Sequence, residues 1–194
     1  MPLARIRDAV IAGALGGTVA GLVFATLHAF IIVPIWDRMM GGLVFGALAG
    51  AVAGWAFSEL YPEQPDVKSS MAAGAKYGGL LWLAVTPVSA ADAIFRAVGF
   101  LPRYELVGVA LAVLLAVASG ALWGWYRTRH KRGMVACAAA TLALTMAMGG
   151  PVPIGRNLWA FGIFLAVLPA SIVAGTILGA SVALTSRRTA AMAP

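Results

Sequence analysis

Of 194 residues, 61% are hydrophobic and only 11% are charged, and the mean hydropathy is +0.91. Soluble domains carry about 25% charged residues, so these figures exclude an ordinary cytosolic enzyme, a disordered chain and a secreted disulfide scaffold. They point to an all-α, polytopic integral membrane protein: a compact bundle of about six transmembrane helices in one domain, 1–194. The net charge of +7 would suggest nucleic acid in a soluble chain. Here the cations sit at the ends of apolar runs, where they set orientation, and no nucleic-acid partner is expected.

The apolar segments run over approximately 9–33, 39–58, 71–91, 106–126, 134–150 and 158–184. Most reach the roughly 20 residues that cross about 30 Å of hydrocarbon. The first follows Arg5 and Arg7 and continues to about Pro34. That is too long for the apolar core of a signal peptide, so an uncleaved first helix is expected. It carries Gly13, Gly17 and Gly21, with His28 further along nearly the same helical face. A turn containing Asp37 and Arg38 leads to the second segment, where Gly42, Gly46, Gly50 and Gly54 recur every four residues. Such stripes let backbones approach closely, so the first two segments are expected to pack antiparallel through them.

Beyond the polar turn 61–70, the third segment contains Gly74 and Gly78, Pro87, and Asp92 near its outer end. Lys76 is expected to snorkel to the inner interface, near Tyr61, Tyr77, Trp125 and Tyr126. Glu59 and Glu105 fall at segment ends and read as interfacial anchors. The fourth segment carries Gly120 and Gly124 and ends in RTRHKR, 127–132, the densest basic cluster. The fifth places Cys137, Thr141, Thr145 and Met148 on one face, and the sixth carries Pro169 and the stripe Ser171, Gly175, Gly179. The prolines should free intrahelical carbonyls and interrupt their helices. LAVTPVS at 83–89 echoes LAVLPAS at 165–171, as an inverted repeat of two three-helix halves would.

With the N-terminus inside, the inner side holds nine Lys/Arg and the outer side four, with Lys76 within a segment. Both termini are therefore expected in the cytoplasm, in the plasma membrane of a prokaryote. Arg127, Arg129, Lys131 and Arg132 could hold an anionic lipid. The intramembrane polar or ligand site is assigned to His28 and Asp92, because ionisable groups in lipid are costly unless satisfied. No motif identifies a cofactor or a metal. Met39, Met40, Met146 and Met148 beside His28 would suit a soft metal, but they form no compact ligand motif. There is no G-x-S-x-G, P-loop, H-E-x-x-H or C-x-x-C-H, which argues against the corresponding enzymes. Three readings remain: a small transporter or channel for an ion or solute, which is favoured; an accessory subunit of a larger complex or homo-oligomer that packs through glycine-rich faces; and a membrane enzyme with catalytic groups near the outer rim, which lacks the expected cluster of convergent acids, bases or nucleophiles.

Overall fold

The computed structural model describes residues 6–19, 36–62, 66–98, 105–147 and 158–191, with backbone alone at 36–42, 45, 89, 92–97, 105–106, 109, 147, 158–167, 170 and 186–191. Among the described residues the chain is all-α. It forms six helices: α1 (6–19), α2 (Trp36–Leu60), α3 (Val67–Ala97), α4 (Glu105–Thr128), α5 (Lys131–Ala147) and α6 (Leu158–Ala191). One stretch, Ala110–Thr128 of α4, is by itself long and apolar enough to cross a membrane, at 19 residues and a mean hydropathy of 1.3.

The described helices overrun the apolar segments at several ends, because backbone hydrogen bonding continues where hydropathy stops. α3 runs through Arg96, and α5 begins inside the basic cluster. Local chemistry sets the boundaries. α2 stops before Pro62, which cannot donate the next helical bond, and the Tyr61 N–H closes the last turn on the Phe57 carbonyl at 2.9 Å. Asp66 caps α3: its carboxylate accepts from the Ser69 N–H at 2.6 Å, and the Ser69 hydroxyl accepts from the Asp66 N–H at 3.3 Å. α4 and α5 are joined by Arg129 and His130 alone. Arg129 adopts φ 58, and its N–H returns to the Trp125 carbonyl at 2.8 Å, which turns the chain out of the helix. His130 caps α5, its Nδ1 accepting from the Gly133 N–H at 3.0 Å.

Three antiparallel helix pairs organise the bundle, each closed by a seam of small residues. In the α1/α2 pair, Gly13 meets Gly50 and Gly54, Gly17 meets Gly46 and Gly50, and Ala9 meets Gly54. In the α3/α6 pair, Ser70 lies against Gly179, Gly74 against Gly175 and Gly78 against Ser171. In the α4/α5 pair, Gly120 meets Cys137 and Thr141, and Gly124 meets Gly133. At each of these glycines an added Cβ would run into atoms of the opposing helix, backbone carbonyls at most of them. The pairs join where α2 packs on α5 and α3 on α4.

The described surface is strongly apolar. The interior mixes small residues, Ala9, Ala56, Ala116, Ala136, Ala140, Ser58, Ser70, Thr141 and Thr145, with large ones such as Phe57, Tyr77, Leu81 and Leu178. Large aliphatic side chains point outward on every described helix: Leu15 is 66% exposed, Leu48 60%, Leu83 54%, Leu114 63%, Leu122 71%, Val135 50% and Val173 57%. In water, exposed apolar patches of this extent are rare.

The seams predict a contrast between two glycines. Gly50→Ala forces a Cβ onto the Gly13 carbonyl and should lower stability by about 1–3 kcal/mol. Gly16→Ala enters open space and should change stability by less than about 1 kcal/mol, in the stabilising direction. Thermal unfolding of both variants in one detergent checks this, and equal melting shifts would reject the seam as the constraint.

Candidate functional site

His28 lies outside the described residues, as do Gly21 and Met148. Asp92 sits in the last two turns of α3, with its backbone alone described; Gly42, Met39 and Met40 are likewise placed only as α2 backbone. Asp37, Arg38 and Glu105 are also described by backbone alone. The described residues therefore define the end of the bundle where α1, α3 and α5 begin and α2, α4 and α6 end, here termed the basic end, together with the middle of the bundle around Pro87.

Four hydroxyls stitch neighbouring helices to one another there. The Ser70 hydroxyl donates to the Gly179 carbonyl at 2.7 Å, linking α3 to α6. The Tyr77 hydroxyl donates to the Ala53 carbonyl at 2.8 Å, linking α3 to α2. Thr141 donates to the Ala116 carbonyl at 2.6 Å, linking α5 to α4. Ser119 of α4 donates to the Ala84 carbonyl of α3 at 2.6 Å. Helical carbonyls already accept one backbone bond, and these hydroxyls occupy a second lone pair. Ala84 lies three residues before Pro87; the carbonyl that Pro87 leaves without a helical donor is that of Leu83. Pro169 lies within α6 and is exposed.

Aromatic rings key α2, α3 and α4 together at the basic end. Phe57 stacks on Tyr61 at a centroid distance of 5.3 Å and meets Tyr77 edge-on at 5.5 Å, and Tyr77 stacks on Trp123 at 5.7 Å. The Arg127 guanidinium lies over the Tyr61 ring at 5.6 Å. Tyr77 is fully buried in the bundle, which corrects the expectation of an interfacial ring. Its position along the helix axis fits an interface, but its face points between α2 and α4. Glu59 is likewise buried, not an outward anchor. Sequence reasoning passed over Asp8, whose carboxylate is buried and pairs with the exposed Arg7 at 3.3 Å. Gly74, Gly78 and Gly79 of α3 all face α6, so the glycine pattern did not signal the second packed face on which Tyr77 lies. Lys76 is exposed beside Tyr77.

Cys137, Thr141 and Thr145 share the buried face of α5, and Met146 points outward. Among the described residues, no group of three or more His, Cys, Asp or Glu side chains could hold a metal ion. What this half offers chemically is hydroxyl donation to helical carbonyl oxygens. No family model, curated protein or solved structure matches the chain.

Tyr61 provides a pH test at the rim, beyond the end of α2. Burial raises its phenol above the usual 10.0, and the Arg127 cation opposes that rise without cancelling it. A phenol raised in the folded state contributes stability fully below pH 10.0, and that contribution is lost as pH climbs through the folded value. Tyrosinate absorbance, differenced against Tyr61→Phe, should show a late transition for Tyr61, and Arg127→Gln should move it later still. An earlier transition in Arg127→Gln would contradict the stacking geometry.

Proposed function

We propose that this chain is a polytopic integral membrane protein that moves an ion or small solute across the bilayer. The membrane part of the reading is supported by the apolar surface and the glycine seams. Large Leu or Val side chains are exposed on each of the described helices, and backbones approach closely at the seams, as expected where lipid is the solvent and close backbone approach drives assembly.

The observation that carries transport over accessory assembly is where the glycine faces point. The seam glycines among the described residues close on one another inside the chain, and so are not left as grooves for a neighbouring subunit. Helix pairing adds support. If α1–α3 and α4–α6 are two halves of opposite orientation, the α1/α2 pair corresponds to α4/α5, and α3/α6 corresponds to itself. That is the pairing present. Carried along both helices, the α3/α6 register brings Leu83 and Leu165, the first residues of the echoed segments, to nearly the same level. The two prolines then lie on either side of that level. The transport path is assigned to this proline-interrupted pair, with Asp92 near the outer end of α3; His28 is kept from the sequence as the other candidate ionisable group.

Full-length protein in proteoliposomes tests this. Potassium chloride, sodium chloride, urea and glycerol are followed by light scattering, and protons by an entrapped pH dye. At least one of these should cross faster than in empty vesicles, and His28→Ala should abolish the excess while leaving thermal unfolding unchanged. Wild-type vesicles as tight as empty ones to every probe would reject transport. Equal flux from folded His28→Ala would reject the role of His28.

A further inference from the structure

The α4–α5 corner is the most concentrated charge on the chain, and it lacks countercharge. All seven acidic residues lie at or before Glu105, so the chain from 106 onward holds seven Lys/Arg and no carboxylate side chain. Arg127, Arg129, Lys131 and Arg132 are exposed around a two-residue turn, and no ion pair joins them to a carboxylate among the described residues.

Two features go beyond what orientation in a membrane requires. Orientation needs only the number of cations on one side. The corner also holds them in place. Arg127 lies over the Tyr61 ring, and Arg129 over the Tyr126 ring at 5.3 Å. Arg129 occupies the left-handed region, at φ 58, where glycine is the unstrained choice. A cation therefore stands where the backbone favours a residue without a side chain. Next to the charges lies an exposed apolar collar: Leu122 and Trp125 one turn back on α4, Tyr126 at 74% exposure, and Val135 on α5.

We infer that the α4–α5 corner is a binding site for an anionic phospholipid, with Arg127, Arg129, Lys131 and Arg132 taking the headgroup phosphate and Leu122, Trp125, Tyr126 and Val135 lying along the glycerol and acyl chains. The occupant follows from the juxtaposition. A free phosphate or a nucleic acid would use the cations but not the apolar collar, and a zwitterionic lipid would use the collar but bring a compensating positive charge. Guanidinium groups suit phosphate oxygens because their paired N–H donors match them. The inference rests on the membrane reading above.

Native mass spectrometry of the full chain in mild detergent tests it, with phosphatidylglycerol and phosphatidylcholine of identical acyl chains as probes. The wild type should retain phosphatidylglycerol in preference to phosphatidylcholine. Arg129→Gly should weaken that retention about fivefold, as loss of one cation near an anionic surface implies, while melting no lower than wild type because the turn is relieved. The variant R127Q/R129Q/K131Q/R132Q should lose the preference. Equal retention of the two lipids by wild type, or unchanged retention in a folded Arg129→Gly, overturns the site. Displacement of the lipid by inorganic phosphate or a short oligonucleotide at equal concentration overturns it in favour of a free anion. Recovery of the chain in the soluble fraction without detergent would instead remove the membrane reading beneath it.

Discussion

The arrangement depends on backbone-to-backbone contact at the glycine seams. In α1/α2 and α3/α6 the glycines are close enough that a Cβ would run into the opposing carbonyl. Such proximity maximises dispersion contact between helices, which matters most where surrounding solvent is as apolar as the side chains. It also decides which other interactions can form. Serine and threonine have short side chains, so Ser70 and Thr141 reach a carbonyl on the neighbouring helix only because the backbones are already close. Each such bond is worth about 0.6 kcal/mol in a membrane bundle. The hydroxyls therefore fix register along seams whose approach the glycines make possible.

The pairs are joined by different chemistry. Between α2, α3 and α4 the contacts are large and shaped: Phe57, Tyr61, Tyr77 and Trp123 interlock, and the Tyr77 hydroxyl is tied to Ala53. An aromatic cluster of this kind resists displacement, because sliding by a fraction of a turn breaks ring contacts together with a hydrogen bond. A glycine seam presents a flatter surface with few interlocking side chains. The molecule thus combines a keyed contact at the basic end with a smooth α3/α6 contact along its length. Pro87 lies on that smooth contact's helix, three residues beyond the Ala84 carbonyl that accepts from Ser119.

Legibility in the sequence followed the same division. A four-residue glycine repeat names a helical face without ambiguity, so the α1/α2 face could be read directly from Gly13, Gly17, Gly46, Gly50 and Gly54, and chain connectivity named its partner. Gly74 and Gly78 named a face of α3 equally well, but not α6 as the occupant, because periodicity carries no information about which distant helix arrives. Tyr77 was placed by depth alone, and depth does not distinguish an outward ring from an inward one. The start of α5 at Lys131 is set by the His130 cap, to which hydropathy is blind. His28 and Asp92 drew attention because charge in an apolar run is costly. That argument concerns energy, and it specifies a need for partners without specifying them.

The α4–α5 corner shows how one physical constraint can leave a residue free for another purpose. The turn needs a left-handed residue between two helices, and glycine would satisfy it at no steric cost. Arg129 occupies that position with φ 58, its guanidinium over Tyr126, in a chain that has no acidic side chain from 106 onward. Helix packing does not explain the choice, since Arg129 is exposed and outside the seams. Orientation does not explain it either, since Arg127, Lys131 and Arg132 supply cations on the same side without backbone strain. On the lipid inference, the charged side chain stands at this strained position because it contacts a ligand outside the chain. In the membrane reading, the nearest material of the right sign is the phosphate of the lipids that surround the corner.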